Sequence, residues 1–178
     1  LSPEFLFVND TIDKSTEYAR RHSVCNFLAK ACQTIQDTLK TDNVWLVEDD
    51  IIVPLCGCHD LRCALTEGLN PPIGVTGCYY NRHPTLQNQL LGGWIKDNKH
   101  VEPTVHFSER QQLDFVGTGC LMFWPYRPGS PKVWEPYSNC AEPKVTAHDW
   151  AWSEKVKGNL VAVGTVDCLH HTTLEEYV

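Results

Sequence analysis

The chain has 178 residues, room for one ordinary domain whose hydrophobic core needs no disulfides. It is 42% hydrophobic and 21% charged, which excludes a disordered tail, and its longest apolar runs fall far short of the ~20 residues of a membrane-spanning helix. Lys+Arg 15 against Asp+Glu 22 give a net charge of −7, which excludes nonspecific binding to nucleic acid or anionic lipid as its main business.

Residues 1–4 read as a cloning scar or the tail of a missing segment, so the domain is taken as 5–178. Residues 5–8 (Phe-Leu-Phe-Val) read as a short buried strand ended by the polar turn 9–13. Asp13 or Ser15 then caps a helix whose apolar face is Val24, Leu28, Ala31, Ile35 and Leu39, with Asp42-Asn43 ending it. Residues 44–47 (Val-Trp-Leu-Val) form a continuous apolar run, as expected of a parallel strand covered on both faces. Leu61, Leu65 and Leu69 mark a second helix, closed by Gly68, Asn70, Pro71 and Pro72, and 73–79 is the next strand. The order strand, helix, strand, helix, strand predicts an α/β layer built on parallel strands.

Beyond Asn81 the sequence becomes polar and punctuated, with short strands expected at 90–95 and 104–107. Strands at 113–116 and 120–124 flank the tight Gly117-Thr118-Gly119. Residues 127–146 carry four prolines and read as a long loop, free to order over a ligand. A short helix at 149–156 and closing strands at 160–163 and 166–169 complete the chain. Nine cysteines at irregular spacing give no disulfide framework and read as mostly reduced, in a cytoplasmic type of compartment.

Three stretches carry candidate chemistry. Glu48-Asp49-Asp50 follows a buried apolar strand and precedes the apolar 51–54. Adjacent carboxylates repel, and either a divalent cation or a solvated edge offsets that repulsion, so the triplet reads as a metal or nucleotide site or as a solvated acidic turn capping the next segment. In open α/β sheets, ligands bind beyond the carboxyl ends of strands. His148-Asp149 opens a short helix after the long loop; Asp149 there is either a helix-dipole partner or a general base. His170 or His171, after the last strand, could offer an imidazole to a metal. Cys56-Gly57-Cys58-His59 with Cys63 fits the spacing of a zinc site poorly. Trp94, Trp124, Trp134, Trp150 and Trp152, with Tyr79, Tyr80 and Tyr137, read mainly as core, with one or two left to line a site.

Taken in order, four stretches resemble a GT-A-fold glycosyltransferase, closest to the inverting family 2-like enzymes of bacteria and phages. They are FVNDTIDKS from Phe7, VWLVEDDIIVP from Val44, FVGTGCLMF from Phe115, and HDWAWSEKVKGNLVAVGTVDCLH from His148. The resemblance implies a mostly parallel, Rossmann-like central sheet flanked by helices, with a smaller mixed or antiparallel acceptor-side portion. It implies a nucleotide-sugar donor (a UDP- or GDP-sugar), an acceptor hydroxyl, and Mn²⁺ or Mg²⁺. Asp10, Glu48 and Asp49 would contact the nucleotide, and Gly117 and Gly119 would back the donor sugar. Asp50 and His170 would hold the metal, and Asp149 would be the general base of an inverting displacement. The resemblance also implies a further strand before Phe5. Glu48 stands where the family has its first Asp, and His148 where it has an acid beside Asp149. Two other readings fit the same residues: a sugar-1-phosphate nucleotidyltransferase, which would need a Gly-rich basic loop near its start, and a non-catalytic sugar- or metal-binding module.

Overall fold

The computed structural model describes residues 13–48, 50–80, 89–97, 99–104, 107–134 and 148–170. The expected strand at 5–8, and Asp10, Asp49, Tyr137 and His171 among the candidate residues, lie outside them.

The first element is helix α1 (Glu17–Thr38), capped by Thr16, whose Oγ1 accepts from Ala19 N at 3.0 Å. Asp13 forms a turn just upstream instead, its carboxylate accepting from Ser15 N. The helix ends at Thr38, short of Asp42-Asn43, because the Leu39 backbone turns extended. Its most buried residues are Ala29, Cys32 and Gln36, one position round from part of the expected stripe.

Strand β1 (Val44–Val47) and the short β2 (Ile51–Ile52) bracket the acidic turn. Helix α2 (Gly57–Thr66) comes next and buries Leu61, Ala64 and Leu65; Leu69, expected on this face, lies beyond its end and is fully exposed. Then come β3 (Gly74–Cys78), β4 (Gly92–Lys96), β5 (Lys99–Val101), β6 (Arg110–Leu113), β7 (Phe115–Val116) and β8 (Cys120–Phe123). Helix α3 (His148–Lys155), β9 (Leu160–Asp167) and β10 (Leu169–His170) close the described chain. The strand expected at 113–116 is two strands, split at Asp114, whose carboxylate accepts from Ile95 N in β4. Of the strand expected at 104–107, the described ends Thr104 and Phe107 are not in a strand.

The central sheet has five strands in the order β1-β8-β3-β9-β6. It is mixed, and this corrects the expected mostly parallel sheet. Strand β8 lies between β1 and β3 and pairs antiparallel with both, while β3 and β9 form the single parallel pair among the described residues. Strands β5, β4 and β7 make a separate antiparallel sheet, the smaller portion expected after Asn81. One face of the central sheet packs on α1 and α3 through Leu121, Phe123, Trp134, Trp152 and Leu160. The other packs on α2 through Val75, Cys120, Met122 and Val163. The alternation of Leu121 and Phe123 with Cys120 and Met122 is the period-two pleat of a strand buried on both sides.

The described part of the expected loop, 127–134, is tied down rather than free. Arg127 donates to Pro71 O at 2.7 Å, Gln36 Nε2 donates to Pro131 O, and Trp134 donates from Nε1 to Gln36 Oε1. Trp134 stacks on Trp152 with ring centroids 5.3 Å apart.

Candidate functional site

A cavity of about 280 Å³ opens between the N-terminal half of α1, the end of β1, the turn between β7 and β8, the start of α3, and β10. Glu48, Gly117, Asp149 and His170 line it, drawn from three of the four stretches that sequence reasoning named. Val24, Cys25 and Leu28 of α1 and Leu91 supply the apolar wall.

Asp50 and His170 meet because β2 and β10 pair antiparallel, with His170 opposite Ile51. A register break in β9 brings the chain there. Val163 faces Gly77 on β3, but the next pairing is Asp167 with Cys78, so 164–166 bulge out and redirect the chain toward β10. His170 Nδ1 lies 2.8 Å from Tyr80 O, and a carbonyl only accepts, so Nδ1 carries the proton. In a neutral imidazole Nε2 then points a lone pair at Asp50 Oδ2, 3.2 Å away. Two acceptors face each other, and a proton or a metal cation between them resolves the conflict. A backbone carbonyl fixing one imidazole nitrogen so that the other can ligate is the usual way a metal-binding histidine is oriented. Ligands bonding a cation at about 2.1 Å at right angles sit about 3 Å apart, close to the spacing here. A carboxylate oxygen with an imidazole nitrogen is a donor pair that several divalent metal ions accept. No group of three or more such side chains occurs among the described residues.

Asp149 sits in the first turn of α3, half-buried, its Oδ1 accepting from Trp150 N at 2.9 Å. Burial pushes its carboxyl up to about 7, the Trp150 N–H opposes this, and the nearby Glu48 charge adds to the rise. A carboxyl poised near neutrality in a cavity wall is placed to take a proton. Glu48 lies exposed at the end of β1, its backbone N–H bonded to Gly119 O and its Oε1 accepting from Thr118 Oγ1 at 3.1 Å.

Gly117 and Gly119 have a packing reason of their own. A Cβ on Gly117 would lie 2.4 Å from the Tyr79 hydroxyl, and one on Gly119 2.8 Å from the Tyr79 ring. Tyr79 is buried, accepts from Gly119 N at 2.8 Å, and meets the His170 ring edge-on. Tyr79 and Thr118 are site residues that sequence reasoning missed. Tyr79 read as core at a strand end, and Thr118 was hidden between two glycines. His148, noted as the partner of Asp149 at the helix start and as a replacement for an acid, is buried and contacts Thr118.

Among the described residues the cysteine stretch gathers no metal site, His59 Nε2 and Cys63 Sγ approaching at 3.5 Å. Every described cysteine is a free thiol. A larger cavity, of about 430 Å³ beside Asp60, Arg110 and Gly164, holds none of the predicted residues. No helix among the described residues is long and apolar enough to cross a membrane.

These features define a mixed α/β protein with one acidic, histidine-bearing cavity. No protein-family model matches the chain, and no curated protein matches it. Among solved structures it is similar to A197 from STIV, known from its crystal structure. The TM-score is 0.58 at 14% identity, over 84% of this chain and 68% of that one. At that identity the likeness speaks to the fold alone.

Proposed function

We propose that the chain is a metal-dependent glycosyltransferase moving a sugar from a UDP- or GDP-sugar to an acceptor hydroxyl with inversion. The observation that carries this reading is the convergence of Glu48, Asp149 and His170 in one cavity, with Asp50 held against His170. The described residues lining that cavity include no Lys or Arg, so an anionic donor needs a cation to enter it. Asp50 and His170 would hold Mn²⁺ or Mg²⁺. The ion, when bound, neutralises the diphosphate leaving group. Asp149 takes the proton from the acceptor hydroxyl as that oxygen attacks the anomeric carbon. The free thiols suit a reducing, cytoplasmic setting.

A thermal-shift panel tests the reading. UDP or GDP should raise the melting temperature with Mn²⁺ and not with EDTA, since a ligand that binds only the folded state stabilises it. Asp50→Ala should abolish that shift. Slow release of sugar from the matching nucleotide-sugar should accompany it. No nucleotide-dependent shift at millimolar ligand would sink the donor assignment, and binding without sugar release would leave a binding module.

A further inference from the structure

The cavity wall contains a directional hydrogen-bond chain that the catalytic reading leaves unused. Thr118 Oγ1 lies 3.1 Å from Glu48 Oε1 and 3.2 Å from His148 Nε2. Thr118 and His148 are both buried, at 5% and 3% exposure, so neither contact is a surface accident. A hydroxyl has one proton to give, and an ionised carboxylate only accepts. Thr118 therefore donates to Glu48, and its oxygen must accept from His148. That requires the Nε2–H form of a neutral imidazole, and burial keeps His148 neutral, pulling it down to about 4. Nδ1 is then an acceptor, and among the described residues it is buried with no hydrogen-bond partner.

We propose that Thr118 and His148 are positioning residues that fix the Glu48 carboxylate for the nucleotide through the chain His148 Nε2–H to Thr118 Oγ1–H to Glu48 Oε1. The chain holds one oxygen of the Glu48 carboxylate in place before the donor arrives, which lowers the ordering cost of binding. The backbone supports the same geometry from beneath, since Glu48 N donates to Gly119 O one residue beyond Thr118. The functional part of this inference rests on the glycosyltransferase reading; the hydrogen-bond chain does not.

The test has two independent arms. Calorimetry with UDP plus Mn²⁺, and GDP plus Mn²⁺ as second probe, is run on wild type, Thr118→Val, Thr118→Ser, Glu48→Ala and the Thr118→Val/Glu48→Ala pair. Thr118→Val should weaken binding about tenfold, the worth of a hydrogen bond to a charged group, and Thr118→Ser should restore it. In the Glu48→Ala background, Thr118→Val should have no further effect. An equal loss in both backgrounds, or no rescue by serine, would overturn the proposal. The second arm is ligand-free nitrogen NMR of the His148 ring. It should show a single Nε2–H tautomer that loses its preference in Thr118→Val. An Nδ1–H tautomer in the wild type would overturn the chain outright. If wild type binds neither nucleotide, the donor reading fails by the first arm, while the second still decides whether the chain exists.

Discussion

Asp149 and His148 are neighbours whose burial acts in opposite senses on stability. Asp149 is raised from the ordinary carboxylate value to about 7, so its charged form is disfavoured in the fold and stability falls as pH rises toward that value. His148 is lowered to about 4, so between its unfolded value near 6.5 and 4 the unfolded chain binds the extra proton and stability falls with acid. Over pH 4 to 6.5 the two slopes oppose each other and nearly cancel. Single substitutions should separate them. Asp149→Asn should stabilise the metal-free protein above pH 7 and unmask a rise of stability with pH between 4 and 6.5, at up to about 1.4 kcal/mol per pH unit. His148→Gln should unmask the reverse slope. Among the described residues, Glu48 just after β1, Cys25 and Cys32 on α1, and Tyr79 just after β3 interact electrostatically with Asp149. Urea unfolding across pH in EDTA measures this, and parallel curves for all three proteins would contradict it. On activity, Asp149→Asn should lower turnover by a factor on the order of 10²–10⁴ with donor affinity kept. A stabilised but inactive variant is the mark of a residue kept for chemistry. A helix-dipole partner would instead lose roughly 0.3–1 kcal/mol with little change in rate. Proton NMR of the product should show inverted anomeric configuration, and a retained one would reject direct displacement.

Among the elements, the bulge in β9 matters most to the site. Gly164 lies within it, and a Cβ there would fall 2.1 Å from the backbone oxygen of Phe107. Gly164 N also donates to Glu109 O, so the crossing backbone cannot simply withdraw. Gly164→Ala should destabilise by roughly 1–3 kcal/mol, the usual effect of overpacking. Because the bulge sets the path to His170, the variant should also weaken Mn²⁺-dependent nucleotide binding under conditions where it stays folded. Thr165→Ala, at an exposed neighbour, is the control and should do neither. Chemical denaturation and calorimetry on the pair decide the matter, and a Gly164→Ala protein as stable as wild type would remove the packing argument.

Across the whole molecule, α1 and the segment after β8 are joined by one buried amide. Gln36, 3% exposed, donates to Pro131 O and accepts from Trp134 Nε1, while Gln33 Oε1 accepts from Trp134 N. This holds Trp134 against Trp152 and Phe123, and so joins the helix that walls the cavity to the helix that carries Asp149. Gln36→Leu keeps the volume and strands both partners. It should lower stability by about 1–3 kcal/mol for each partner left unmatched and make Trp134 fluorescence accessible to quenchers. A change below about 0.5 kcal/mol, the range of ordinary surface substitutions, would show that the amide is not the tie.

The sequence by itself determined the local pieces. A period near 3.6 marked α1, and unbroken apolar runs marked β1 and β8, because burial of a helix face or of both strand faces is written directly in side-chain order. It also marked Glu48, Asp50, Asp149 and His170, because charged residues beside apolar strands and at helix starts stand out from the core pattern. Strand direction was left to the tertiary structure. An apolar run reports that both faces are covered, and it reads the same whether the neighbouring strand runs parallel or antiparallel. The insertion of β8 between β1 and β3 therefore left no trace in it. Nor could sequence show that Gln36 is more deeply buried than Ile35, that Gly117 and Gly119 make room for Tyr79, or that Thr118 lies between Glu48 and His148. Those arrangements depend on residues tens of positions apart, and their geometry exists only once the sheet has brought the strands together.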